Sequence, residues 1–98
     1  MSIMRITVRT FQNEQHAEMF IAMSQKIIED TLKNKFKIYF TMIQNKSTKN
    51  QVTAIWKYDN EQHLKEVRKY LSNHNSIPNS LSPKEVVFSG DVILDSKL

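Results

Sequence analysis

The stretch Val52-Thr53-Ala54-Ile55-Trp56-Lys57-Tyr58-Asp59-Asn60-Glu61-Gln62-His63-Leu64 decides the fold of this chain. Residues 52 to 58 alternate in the manner of a strand, whereas Leu64, Val67 and Leu71 recur at the three- and four-residue spacing of a helix face. The polar residues between them include Asp59 and Asn60, either of which can cap the helix through a side-chain oxygen. A similar strand-to-helix passage opens the chain. Residues 3 to 11 are rich in β-branched side chains, Asn13 can cap the first helix, and Glu14 places negative charge in its first turn. Ala17, Phe20, Ile21, Ser24, Ile27, Ile28 and Thr31 then draw one stripe along a helix of about 20 residues.

Working outward, Phe36, Ile38, Phe40 and Met42 alternate with Lys37, Tyr39, Thr41 and Ile43, and the polar segment 45–50 joins this strand to the next as a hairpin with a long turn. Residues 72 to 83 read as loop. Glu85-Val86-Val87-Phe88 resumes a strand that runs on to Leu94, with a bend or bulge expected at Gly90. The order β-α-β-β-α-β predicts an α+β, ferredoxin-like domain spanning residues 1–98. Its four-stranded antiparallel sheet carries two helices on one face.

Composition narrows the classes of function. A chain of 98 residues, 40% hydrophobic and 24% charged, encloses a single modest core, so association with a second copy is a natural route to further burial. The net charge of +4 favours anionic partners without marking a dedicated nucleic-acid binder. With no cysteine, disulfides, thiolate metal sites and cysteine nucleophiles are excluded. Arg5 and Arg9 interrupt any signal-peptide core at the N-terminus, and no window is apolar enough to span a bilayer, so the expectation is a cytoplasmic protein without membrane contact. A single glycine cannot supply a dinucleotide fingerprint, a phosphate loop or a nucleophile elbow.

Strand parity gives the next expectation. Assigning the more apolar parity of each strand to the helices places Met4, Ile6, Val8, Phe36, Ile38, Phe40, Met42, Val52, Ala54, Trp56, Val86 and Phe88 beneath them. Arg9, Tyr39, Ile43, Ile55, Val87 and Ile93 fall on the other face. That mixed face is too apolar to stay in water, and it predicts a homodimer interface.

The order of elements, the long first helix and the aromatic strand end running into Asp59-Asn60-Glu61-Gln62-His63-Leu64 resemble the dimeric α/β-barrel proteins, and within them the antibiotic-biosynthesis monooxygenase group. The resemblance implies that two ferredoxin-like sheets pack face to face. It also implies a small oxygenase, cofactor-independent or haem-degrading, acting on a planar aromatic or quinol-type molecule. A histidine three residues after the Leu64 position would be usual in such proteins; Val67 stands there.

Chemistry of that kind needs a base or hydrogen-bond donor to ionise the substrate, and apolar walls to exclude water. Trp56 and Tyr58, with Phe20 and Phe40, are the candidate walls of a pocket between sheet and helices, although large aromatics there also serve as core. His63 and His74 are the candidate catalytic groups, set against capping and solvated-loop roles. His16, His63 and His74 form no ligand spacing, so no metal is expected. No cofactor is expected either, since haem lacks a clear ligand. Two other readings stand beside the oxygenase: a non-catalytic dimeric ligand-binding or regulatory protein, and an RNA-binding module. The last shares the element order and would use Arg5, Arg9, Lys37 and Lys57 around Tyr39, but Thr7, Thr53 and Ile55 occupy its three base-stacking positions.

Overall fold

The computed structural model describes residues 2–74 and 78–98, with only the backbone described at Thr31, His74 and Asn79. β1 (Ile3–Thr10) leads into α1 (Glu14–Ile27), whose cap is Asn13: its side-chain oxygen accepts the His16 N–H at 2.8 Å. The helix does not stop there. A π-helical segment, Ile28–Leu32, and a last turn, α2 (Lys33–Lys35), extend it until Phe36 turns into extended backbone. β2 (Tyr39–Gln44) and β3 (Gln51–Tyr58) form the expected hairpin, so Phe36 and Ile38 precede the strand that alternation alone would give them. α3 (Glu61–His74) is capped by Asn60, whose Oδ1 accepts the His63 N–H at 2.9 Å. β4 (Lys84–Asp91) closes the described fold.

The strands are antiparallel in the order β2-β3-β1-β4, giving a ferredoxin-like sheet. α1 and α3 pack on one face. Two clusters fill the space beneath them: Leu32, Ala54, Trp56, Tyr58, Val67 and Leu71 in one, Phe11, Ala17, Phe20, Val52 and Leu81 in the other. Among the described residues no helix is long and apolar enough to cross a membrane.

Register corrects the parity of β1 and β4 and keeps that of β2. Directly opposed residues share a face, and Arg5, Thr7 and Arg9 stand opposite Trp56, Ala54 and Val52, all of which point at the helices. The helix side of β1 is therefore Ile3, Arg5, Thr7 and Arg9. Thr7, at 2% exposure, is among the most enclosed residues of the chain. β4 obeys the same register: Val87 pairs with Thr7 on the helix side, and Val86 and Phe88 face the other way. Arg9 and Val87, assigned by alternation to the dimer face, thus belong to the helix side, whereas Tyr39, Ile43 and Ile55 lie on the open face as expected. Ile93 lies beyond the end of β4 and is exposed. The expected bulge is also not there, because Gly90 pairs in regular register with Met4.

These exchanges make the open face more apolar than alternation suggests. Met4, Ile6 and Val8 join Tyr39, Ile43, Ile55, Val86 and Phe88 on it. Tyr39, Val86 and Phe88 are 78%, 69% and 67% exposed, far above what isolated core-type side chains require.

Candidate functional site

The helix side of the sheet holds a cavity of about 130 Å³. Its floor is Phe40 and Met42 of β2 and Ala54 and Trp56 of β3, and α1 with its π-helical continuation supplies Phe20, Ser24, Ile27, Ile28 and Leu32. α3 adds Arg68, Leu71 and Ser72, and β1 adds Arg9. The rings are arranged rather than merely adjacent: Phe40 and Trp56 are tilted with centroids 4.3 Å apart, and Trp56 stacks parallel to Tyr58 at 6.3 Å. Ile28 and Leu32, the first and last residues of the π-helical segment, both stand on the wall.

The polar part of the wall is cationic. The Arg9 guanidinium lies 5.0 Å from the centroid of the Phe20 ring, and its Nε donates to Glu85 Oε1 at 3.3 Å. Burial draws the Arg9 pKa down, Glu85 opposes that, and Arg68 lowers it further. Arg5, behind it on the same side of β1, is also held below its ordinary value, first by burial and then by Arg68. Its Nη1 only grazes Ser89 Oγ at 3.5 Å, and its Nε is buried without a hydrogen-bond partner. Arginine stays protonated all the same, and the cause of the lowering is lost hydration first and repulsion between the guanidinium groups second.

Of the residues that the sequence nominates for this site, Trp56, Phe20 and Phe40 line the cavity. Tyr58 does not. It is fully enclosed beside Trp56, its hydroxyl has no well-formed hydrogen bond, and burial pushes its pKa up against the opposing pull of Arg68 and Arg5. His63 also lies off the cavity wall: its Nδ1 accepts the Asp59 N–H at 3.0 Å and its ring stands perpendicular to that of Tyr58, so it braces the start of α3. The side chain of His74 lies outside the described residues. Pattern reading misses both cationic wall residues, placing Arg9 on the opposite face and passing over Arg68. A signal for it exists, since Arg68 is four residues after Leu64 and three before Leu71, on the buried stripe beside Val67.

Haem does not suit this wall. Among the described residues it offers the thioether of Met42 but no imidazole, thiolate or phenolate, and its volume is far below that of a porphyrin. The face expected to serve RNA changes as well, because Arg5 and Arg9 are turned to the helix side and leave Tyr39 with Lys57 on the open one.

Neither a family model nor a curated protein matches this sequence. Solved structures do match the fold. A dimeric ferredoxin-like protein from an uncultured marine organism superposes with a TM-score of 0.76 at 18% identity, covering 97% of this chain and 98% of its own. A second dimeric ferredoxin-like protein of such origin gives 0.79 at 10% identity over 99% and 92%. A Bacteroides thetaiotaomicron protein provisionally assigned as an antibiotic biosynthesis monooxygenase gives 0.69 at 14% identity over 99% and 94%. The chain therefore has the ferredoxin-like fold of these proteins.

Proposed function

We propose that this chain is a small homodimeric, monooxygenase-like protein of the cytoplasm that binds a planar aromatic or quinol-type molecule between its sheet and its helices. The observation that carries the reading is the cavity walled by Phe20, Phe40 and Trp56. At about 130 Å³ it has room for roughly one aromatic ring; an engineered apolar cavity of ~150 Å³ binds benzene. Such walls exclude water, and a quinol that enters as its anion, having left its proton to solvent, is a reductant able to pass an electron to dioxygen without a bound cofactor, giving semiquinone and superoxide. The fold shared with a provisionally assigned oxygenase supports the same choice. Dimerisation is supported by the apolar open face and by the dimeric descriptions of the similar structures.

Trp56 is the only tryptophan of the chain and lies in the wall, so its fluorescence reports on the cavity directly. Titration with catechol or hydroquinone should quench or shift that emission saturably, and Phe40→Ala should weaken the response. Oxygen consumption accompanying turnover of such a compound separates an oxygenase from a binding protein. A Trp56 signal indifferent to every single-ring phenol tried would refute the reading.

A further inference from the structure

Resting on that reading, the geometry points to a bound molecule that is an aromatic acid, whose anionic oxygen is held by Arg68 and Arg9 while its ring lies among Phe20, Phe40 and Trp56. The first support is position. Arg9 and Arg68 both line the same cavity as the rings, entering from different elements, β1 and α3. The second is charge balance. Arg5, Arg9 and Arg68 act on one another electrostatically; among the described residues Glu85 is the carboxylate that acts on Arg5 and Arg9, and Arg68 faces the neutral Tyr58 hydroxyl. Among the described residues no ion pair includes Arg5 or Arg68. Three cations against one carboxylate in a half-buried place leave positive charge that a ligand anion would neutralise.

The third support is orientation. Glu85 holds Arg9 through Nε, and the guanidinium stays against Phe20, so the group is fixed before any ligand arrives. The cluster still holds an unmet donor, since Arg5 Nε is buried without a hydrogen-bond partner although Glu85 accepts from Arg9 and Ser89 from Arg5. An anionic oxygen between Arg9 and Arg68 would accept charge-assisted hydrogen bonds in a place of low dielectric, where such bonds are strongest. The oxygen can be a carboxylate or a phenolate.

Calorimetry with benzoate and with its neutral analogue benzamide tests the assignment on the full chain, with 4-cyanophenol as the phenolate arm. Benzoate should bind on the order of tenfold or more tightly than benzamide, or 4-cyanophenol should show its phenolate absorbance band in the site at a pH where the free phenol is neutral. Arg68→Gln should remove that preference by weakening benzoate much more than benzamide, whereas Arg68→Lys should keep part of it. Raised salt should weaken benzoate and not benzamide. Equal binding of benzoate and benzamide together with no phenolate band would overturn this inference and leave the aromatic cavity standing, as would a preference that survives Arg68→Gln. Should neither ring compound bind, the aromatic-cavity reading falls and this inference with it. If neither Arg68 variant folds, the wild-type preferences and their salt response decide alone.

Discussion

Tyr58 is fully enclosed, yet its hydroxyl lacks a well-formed hydrogen bond, and that combination makes a prediction. Tyr58→Phe keeps the ring stacked on Trp56 and removes a poorly satisfied polar atom, so stability at neutral pH should change by no more than about 1 kcal/mol in urea unfolding. The pH dependence has a definite sign. Burial raises the folded-state pKa above the usual tyrosine value of about 10, so the contribution is complete below that value. It is lost as pH rises and the unfolded chain ionises first. Wild type should therefore lose stability through this alkaline range more steeply than Tyr58→Phe; parallel curves would contradict it. At this scale the sequence is only half legible. Alternation places Trp56 and Phe40 correctly but puts Arg9 on the wrong side, because β1 has an apolar parity and a charged one, and the apolar one looks the better match for the helices. Two apolar faces compete for that assignment, and only pairing with β3 settles it. Ile3, Thr7 and Phe11, all buried on the same parity, are the indication that alternation undervalues.

At the scale of elements, capping is legible and the shape of the first helix is not. Asn13 and Asn60 each accept a backbone N–H at the start of a helix, as polar residues before an apolar stripe should. Asn60→Ala should cost about 1 kcal/mol, measured by thermal unfolding, and leave the Trp56 response to ring compounds in place. The π-helical Ile28–Leu32 leaves no trace in periodicity, since one extra residue within a turn only blurs a stripe that continues on both sides. Glu29 is exposed in that segment. Its deletion should let the helix close into ordinary α geometry, with helical circular dichroism retained and aromatic binding weakened on the order of tenfold as Ile28 and Leu32 shift on the wall. Unchanged affinity would separate the segment from the site. Alternation also starts β2 too early, for a related reason: Phe36 and Ile38 pack against the core without joining the ladder, so they alternate like strand residues while lying outside it.

For the whole molecule, the governing feature is a sheet with two apolar faces. Helices cover one, and the other presents Met4, Ile6, Val8, Tyr39, Ile43, Ile55, Val86 and Phe88. The segment after β4 does not shield it by burying its own apolar residues, since Ile93 and Leu94 remain exposed. Fully burying one such side chain gives about 1.5–3 kcal/mol, so several together offset an association cost of ~4–15 kcal/mol. Phe88→Asp removes a large ring from that face and leaves a charge to desolvate, and should weaken self-association by a hundredfold or more on the order of the lost burial. The helix-side cavity should stay intact in that variant, as judged by Trp56 emission. The most direct measurement is sedimentation equilibrium of the unmodified chain at micromolar concentration. It should give twice the chain mass of 11.6 kDa; a single species of 11.6 kDa, with the apolar face left in water, would contradict the account.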